Sequence, residues 1–119
     1  MFMQQASDLI FEVSLEDFEQ RVIQASTTRP ILVDLWADWC PPCLVIAPVM
    51  EAVVKDRGGA VALAKLEVDE GDNMKIAGRY QVRGFPTILL IYRGEEIDRF
   101  SGAKPRSFVD EFIDQGLAH

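Results

Sequence analysis

Histidine is all but missing from these 119 residues, and cysteine occurs only twice. The one imidazole is His119, at the last position. A tetrahedral zinc site takes about four Cys, His or carboxylate ligands and is short of partners within one such chain, so no metal is expected. Basic charge is also scarce. Lys and Arg number 12 against 19 Asp and Glu, a formal charge of −7, which argues against nucleic acid as a partner because sequence-independent binding there needs a basic surface to neutralise phosphates. No stretch approaches the ~20 apolar residues of a membrane span. Residues 1–12 have neither the basic start nor the continuous apolar region of a signal peptide. With no cysteines beyond one close pair, nothing suggests the disulfide framework of an oxidising compartment, and a cytoplasmic protein is expected. What remains is an ordinary globular composition, 49% hydrophobic, sufficient for one core and not comfortably for two. No linker, repeat or low-complexity segment interrupts it, so residues 1–119 are expected to form a single domain.

The two cysteines fall within Trp39-Cys40-Pro41-Pro42-Cys43. At this spacing, on the first turn of a helix, they can close into a small disulfide and reopen, while the helix N-terminus stabilises the thiolate that exchange requires. A purely structural disulfide competes poorly, since so short a loop constrains the unfolded chain little. The pair therefore points to thiol–disulfide redox chemistry.

Strands and helices alternate around it. Residues 9–13 read as a short strand. Ser14, with Asp17 three positions on, offers an N-cap for a helix to about Ala25 whose apolar positions Phe18, Val22 and Ala25 share a face. Residues 31–36 are a near-continuous apolar run, the mark of a strand buried on both faces, broken only by Asp34. The cysteine segment opens a helix to about Arg57, closed by Gly58-Gly59, with Pro48 inside it, where the missing donor predicts a kink. Residues 60–68 read as a strand, 72–80 as a short helix and 87–92 as a strand. Arg93-Gly94-Glu95 then turns the chain into a strand over 96–101, a hairpin that makes the sheet mixed. Pro105 fits the first turn of a closing helix, on which Phe108, Val109, Phe112 and Ile113 form a stripe that reads as core.

Four ordered signatures resemble the thioredoxin family over nearly the whole chain: Asp34-Leu35-Trp36-Ala37 ahead of the cysteine segment, Ile46-Ala47-Pro48, Ala64-Lys65-Leu66, and Arg83-Gly84-Phe85-Pro86-Thr87. The resemblance implies the α/β thioredoxin fold, a central mixed sheet flanked by helices on both faces in the order βαβαβαββα. It implies that Cys40 is a partly exposed nucleophile and that Cys43, deeper and more shielded, resolves the mixed disulfide. Asp34 matches the family's buried carboxylate, a proton acceptor whose pKa burial raises; the competing reading is a solvent-facing aspartate at a strand end. Lys65 matches the lysine near that carboxylate, against the reading of an ordinary exposed lysine. Pro86 matches the family's cis-proline. Phe85, just before it, would pair its backbone with an extended client, although core packing competes for its side chain. Trp39, Pro41, Pro42, Gly102 and Ala103 complete an apolar docking patch, with Trp36 packed behind the active-site loop.

Two positions depart from the common family pattern: Pro41 replaces a glycine, and Leu44 a lysine. Oxidising relatives often carry histidine between the cysteines, where its charge favours the thiolate; Pro41-Pro42 supplies none, which favours a reductant. The expected partners are client proteins with disulfides and a separate thioredoxin reductase, with the chain itself a monomer that carries no cofactor. Two alternatives stand beside this. One is a holdase chaperone or client-binding module that uses the apolar surface after Leu44, and the other a periplasmic thiol reductase of cytochrome maturation.

Overall fold

The computed structural model describes residues 6–118. Residues 1–5 and His119, used above for the signal-peptide and zinc arguments, lie outside the described residues. Five strands form one sheet in the order β1-β3-β2-β4-β5: β1 (Ile10–Glu12), β2 (Ile31–Trp36), β3 (Ala62–Glu67), β4 (Thr87–Tyr92) and β5 (Glu95–Ser101). β3 runs parallel to both β1 and β2, and β4 lies antiparallel between β2 and β5. The mixed sheet expected from the hairpin is therefore present.

The central strand explains the rest of the packing. Alternate side chains of a strand point to opposite faces, and both faces of β2 are covered. Ile31, Val33 and Leu35 pack with Phe18 and Val22 of the first helical connection and with Ile76 and Ala77 of α3 (Met74–Arg79). Leu32 packs on the other side with Ile46, Met50, Val53 and Val54 of α2 (Pro41–Asp56), and with Val109, Phe112 and Ile113 of α4 (Arg106–Leu117). Burying each of the larger side chains among them, alanine excepted, contributes roughly 1.5–3 kcal/mol. Asp34 shares the parity of Leu32, so the pleat places a carboxyl on the face that α2 covers.

The N-terminal elements differ from expectation. Leu9 ends a helical turn, α1 (Ala6–Leu9), and the strand starts at Ile10. Leu9 is still buried, against the α2 side of the core. Ser14 does not cap a helix through its oxygen: its backbone N–H donates to Asp17 Oδ1 at 2.8 Å and its hydroxyl to the same atom at 3.2 Å, because an acceptor-only carboxylate takes both protons. The helix that follows is a π-helical stretch, Glu19–Gln24, closed by a 3-10 turn, Ala25–Thr27.

Other boundaries shift for local reasons. α3 starts late because the buried Asn73 amide caps nothing; it accepts from Leu15 N–H at 2.8 Å and donates to the Glu67 carbonyl at 2.9 Å. Pro105 stands one position before α4, outside its first turn. In the expected stripe Val109, Phe112 and Ile113 are buried, whereas Phe108 stays exposed and meets Phe100 edge-on, with ring centroids 5.3 Å apart. The β4–β5 turn uses only Arg93 and Gly94, both at positive φ (53° and 82°), as a tight hairpin demands. Glu95 already belongs to β5.

Candidate active site: a disulfide beside a buried carboxyl

β2 delivers the chain to Cys40, which stands at the N-cap of α2 with extended backbone (φ −106°, ψ 100°). Pro41 follows at the first helical position, where its fixed φ is compatible and its missing N–H costs nothing. The Cys43 N–H donates to Cys40 Sγ at 3.2 Å, and the two cysteines are joined as a disulfide with Cα atoms 5.3 Å apart. The same N–H also donates to the Cys40 carbonyl at 3.0 Å, so the helix N-terminus shares one amide between that carbonyl and the first sulfur, where it favours negative charge.

Cys40 is 4% exposed and Cys43 1%. Cys43 is shielded as expected, but Cys40 is less open than a residue at a helix edge was expected to be. In this oxidised state its sulfur is bonded inward to Cys43 and lies 3.5 Å from the Phe85 carbonyl oxygen, so the segment before Pro86 covers it. The Phe85–Pro86 peptide bond is cis, and Pro86 is buried. The Gly102 N–H donates to the Pro86 carbonyl at 3.0 Å, tying the end of β5 to this loop, with Ala103 exposed beside it. Trp39 is 61% exposed. Its ring meets that of Phe85 edge-on, with centroids 6.2 Å apart, and its indole N–H donates to the Asp69 carboxylate. Pro41, Pro42, Leu44 and Val45 are also exposed. A nearly covered sulfur is therefore ringed by an open apolar rim. Phe85 itself is half-buried, its side chain packed against the core while its backbone carbonyl faces Cys40.

Asp34 is 1% exposed, and neither carboxylate oxygen has a hydrogen-bond partner. Burial pushes its pKa up from 3.8 to about 7; the Lys65 ammonium opposes the rise and the Glu51 carboxylate adds to it. The solvent-facing reading of Asp34 is thereby removed. Lys65 is its register partner across β2 and β3, yet the ammonium pairs with Glu51 Oε2 of α2 at 3.0 Å. Trp36 is half-buried against the same cluster as the cysteines. A surface depression of about 530 Å³, lined by Glu12, Glu16, Asp17, Lys65, Glu67 and Glu70 among others, does not include the disulfide. Exchange between sulfurs needs an in-line approach rather than a deep pocket, so the exposed rim is the better guide to where chemistry occurs.

Sequence reasoning passed over Glu51 and Asp69. Glu51 is an acid inside the apolar run of α2, a local conflict that signals a partner. Asp69 sits in an acidic stretch after β3 from which nothing singles it out.

A mixed sheet covered by helices on both faces, with a reversible Cys-x-x-Cys disulfide at the start of the helix after the central strand, defines a thiol–disulfide oxidoreductase that acts on protein disulfides. The Thioredoxin family model matches residues 9–115, and the chain belongs to the thioredoxin family. It is 38% identical over 107 residues to "Thioredoxin" of Chlorobaculum thiosulfatiphilum, covering 90% of this chain and 95% of that one. It is 36% identical over 107 residues to "Thioredoxin 2" of Chlorobaculum tepidum, covering 90% and 94%. With "Probable thioredoxin-2" of Caenorhabditis elegans it shares 39% identity over 110 residues, 92% of this chain and 73% of that protein. These findings do not favour the holdase and cytochrome-maturation readings. No described helix is long and apolar enough to cross a membrane.

Proposed function

We propose that this chain is a monomeric, single-domain cytoplasmic electron carrier that reduces disulfides in client proteins and is recharged by a separate thioredoxin reductase. The observation that carries the assignment of the nucleophile is the Cys43 N–H directed at Cys40 Sγ at the start of α2, since a donor fixed there stabilises the Cys40 thiolate once the disulfide is reduced. That thiolate attacks one sulfur of a client disulfide. The client S–S bond breaks, the other client sulfur leaves as a thiolate and takes a proton from water, and Cys40 is held in a mixed disulfide. Cys43 then gives its proton to the ionised Asp34 carboxyl and attacks Cys40 Sγ. The second client sulfur leaves, Asp34 returns its proton toward solvent, and two electrons have passed from the Cys40/Cys43 dithiol to the client. Asp34 suits this role because burial brings its pKa to about 7, close to the pH at which a group exchanges protons in both directions.

The backbone at Phe85 would pair with an extended client segment, while Trp39, Pro41, Pro42, Pro86, Gly102 and Ala103 supply apolar contact around the sulfur. Lys65 keeps a positive charge near the carboxyl. Trapping tests the division of labour between the cysteines: Cys43→Ser is expected to accumulate mixed disulfides with clients, and Cys40→Ser to trap few and lose reductase activity. Comparable trapping through Cys43 in the Cys40→Ser variant would overturn it. Equilibration with glutathione tests the direction, the expected result being a Cys40/Cys43 couple more reducing than the glutathione pool.

A further inference from the structure

Lys65 and Asp34 are direct neighbours across two parallel strands, and an ammonium so placed could close onto the carboxyl as a buried ion pair. Such a pair would hold Asp34 ionised, as opposite charges at short range do, and would leave it a poor partner for a proton. The ammonium is instead drawn to Glu51, 3.0 Å away on α2, where the lysine and glutamate side chains keep 23% and 33% of their exposure. Both Asp34 oxygens are left without a hydrogen-bond donor. On the other side of β2 the register partner of Asp34 is the apolar Ile88, so the charged groups acting on the carboxyl are Lys65 from β3 and Glu51 from α2.

We propose that Glu51 is a positioning residue for the exchange reaction: by holding the Lys65 ammonium toward α2, it keeps the Asp34 carboxyl unpaired and able to take and return a proton. This rests on the role given to Asp34 above. Glu51 touches neither sulfur nor client in this account and acts only through Lys65. Its position suits the task, because the residue before it, Met50, is fully buried in the core, which fixes the helix face from which the carboxylate reaches across to β3.

The test is a double-mutant cycle, since coupled neighbours are separable only that way. The titration of the Asp34 carboxyl carbon is followed by NMR in the reduced full chain, without client, for wild type, Glu51→Gln, Lys65→Met and the double variant. Glu51→Gln is expected to release Lys65 onto Asp34 and lower its titration midpoint by about one pH unit, a tenfold change in proton affinity. In the Lys65→Met background the same change should move the midpoint less than half as far. An equal shift in both backgrounds would mean that Glu51 acts only through its own charge, and no shift that it does not act on Asp34; either overturns the proposal. The rate at which Cys43 releases a client from Cys40 is measured against pH in parallel, and its acid limb should fall with the Asp34 midpoint in Glu51→Gln. A limb that stays put while the carboxyl titration moves would refute the role of Asp34 in exchange, and with it the function given to Glu51, although the control of Lys65 would stand.

Discussion

An ionised Asp34 meets no hydrogen-bond donor at either oxygen, and the cost appears as a stability that depends on pH. The folded-state pKa of about 7 lies above the usual 3.8, so the native protein keeps a proton that the unfolded chain releases. Stability from this group is full below about pH 4 and is lost as pH rises to about 7. At 1.36 kcal/mol per pH unit the interval amounts to about 4 kcal/mol. Asp34→Asn should therefore match wild type in urea denaturation near pH 4 and exceed it by up to about 4 kcal/mol near pH 8, while turning over more slowly because no proton acceptor remains. A stability gap that does not grow with pH would place the carboxyl in contact with water. Leu44 belongs to the same scale. It is exposed on the first turn of α2, and a lysine there would sit roughly 7 Å from the Cys40 sulfur by helix geometry. Coulomb's law in water-like surroundings gives about 0.6 kcal/mol at that distance. Leu44→Lys should lower the Cys40 pKa by a few tenths of a unit, read from thiolate absorbance against pH at low salt; an upward shift would contradict the placement.

Among the elements, α4 meets the sheet at a glycine. A Cβ on Gly116 would collide with Leu90 Cδ2 and come within 3.5 Å of its Cγ, and Leu90 is a fully buried side chain of β4. Alanine favours a helix over glycine by about 1 kcal/mol, but overpacking a closed core costs roughly 1–3 kcal/mol. Gly116→Ala should destabilise the protein by about 1 kcal/mol net, measured as a lower urea midpoint with an unchanged slope. A higher midpoint would mean that α4 withdraws from β4 at little cost. The hairpin shows the same dependence on one contact between elements. Ser26, in the 3-10 turn, accepts the Gly94 N–H on its hydroxyl at 2.8 Å and the Arg93 N–H on its carbonyl at 2.9 Å, which pins the β4–β5 turn against the first helical connection.

For the molecule as a whole, an apolar rim on an acidic protein invites the question of whether capture of clients requires sulfur at all. Trp39, Leu44 and Val45 are exposed together around α2's first turn. Hydrophobic capture would survive loss of both thiols, whereas exchange would not. The Cys40→Ser/Cys43→Ser double variant should abolish disulfide reduction and, like wild type, give little protection to a heat-unfolded client in a light-scattering assay. Strong suppression of aggregation at near-stoichiometric amounts by the sulfur-free variant would restore a chaperone role.

The cysteine spacing, the proline after Cys40 and the apolar run of β2 are local signals. They were enough to place a redox pair at the start of a helix after a central strand, and the four spaced signatures were enough to assign the family. The boundaries near Ser14 and Asn73 were not legible, because each was settled by where one side chain found its partner: Asp17 accepting from Ser14, and Asn73 bridging Leu15 and Glu67. Pro105 instead stands just outside α4, its backbone carbonyl accepting from Phe108 and Val109. Asp34 could be named from sequence as an acid in an apolar strand. That it is unpaired could not, because the nearest ammonium is committed to Glu51, which lies 14 residues from Lys65 along the chain and meets it only when α2 packs across β3. Charge pairing and burial depend on distances across elements, and those distances exist only once the sheet and its helices have closed on each other.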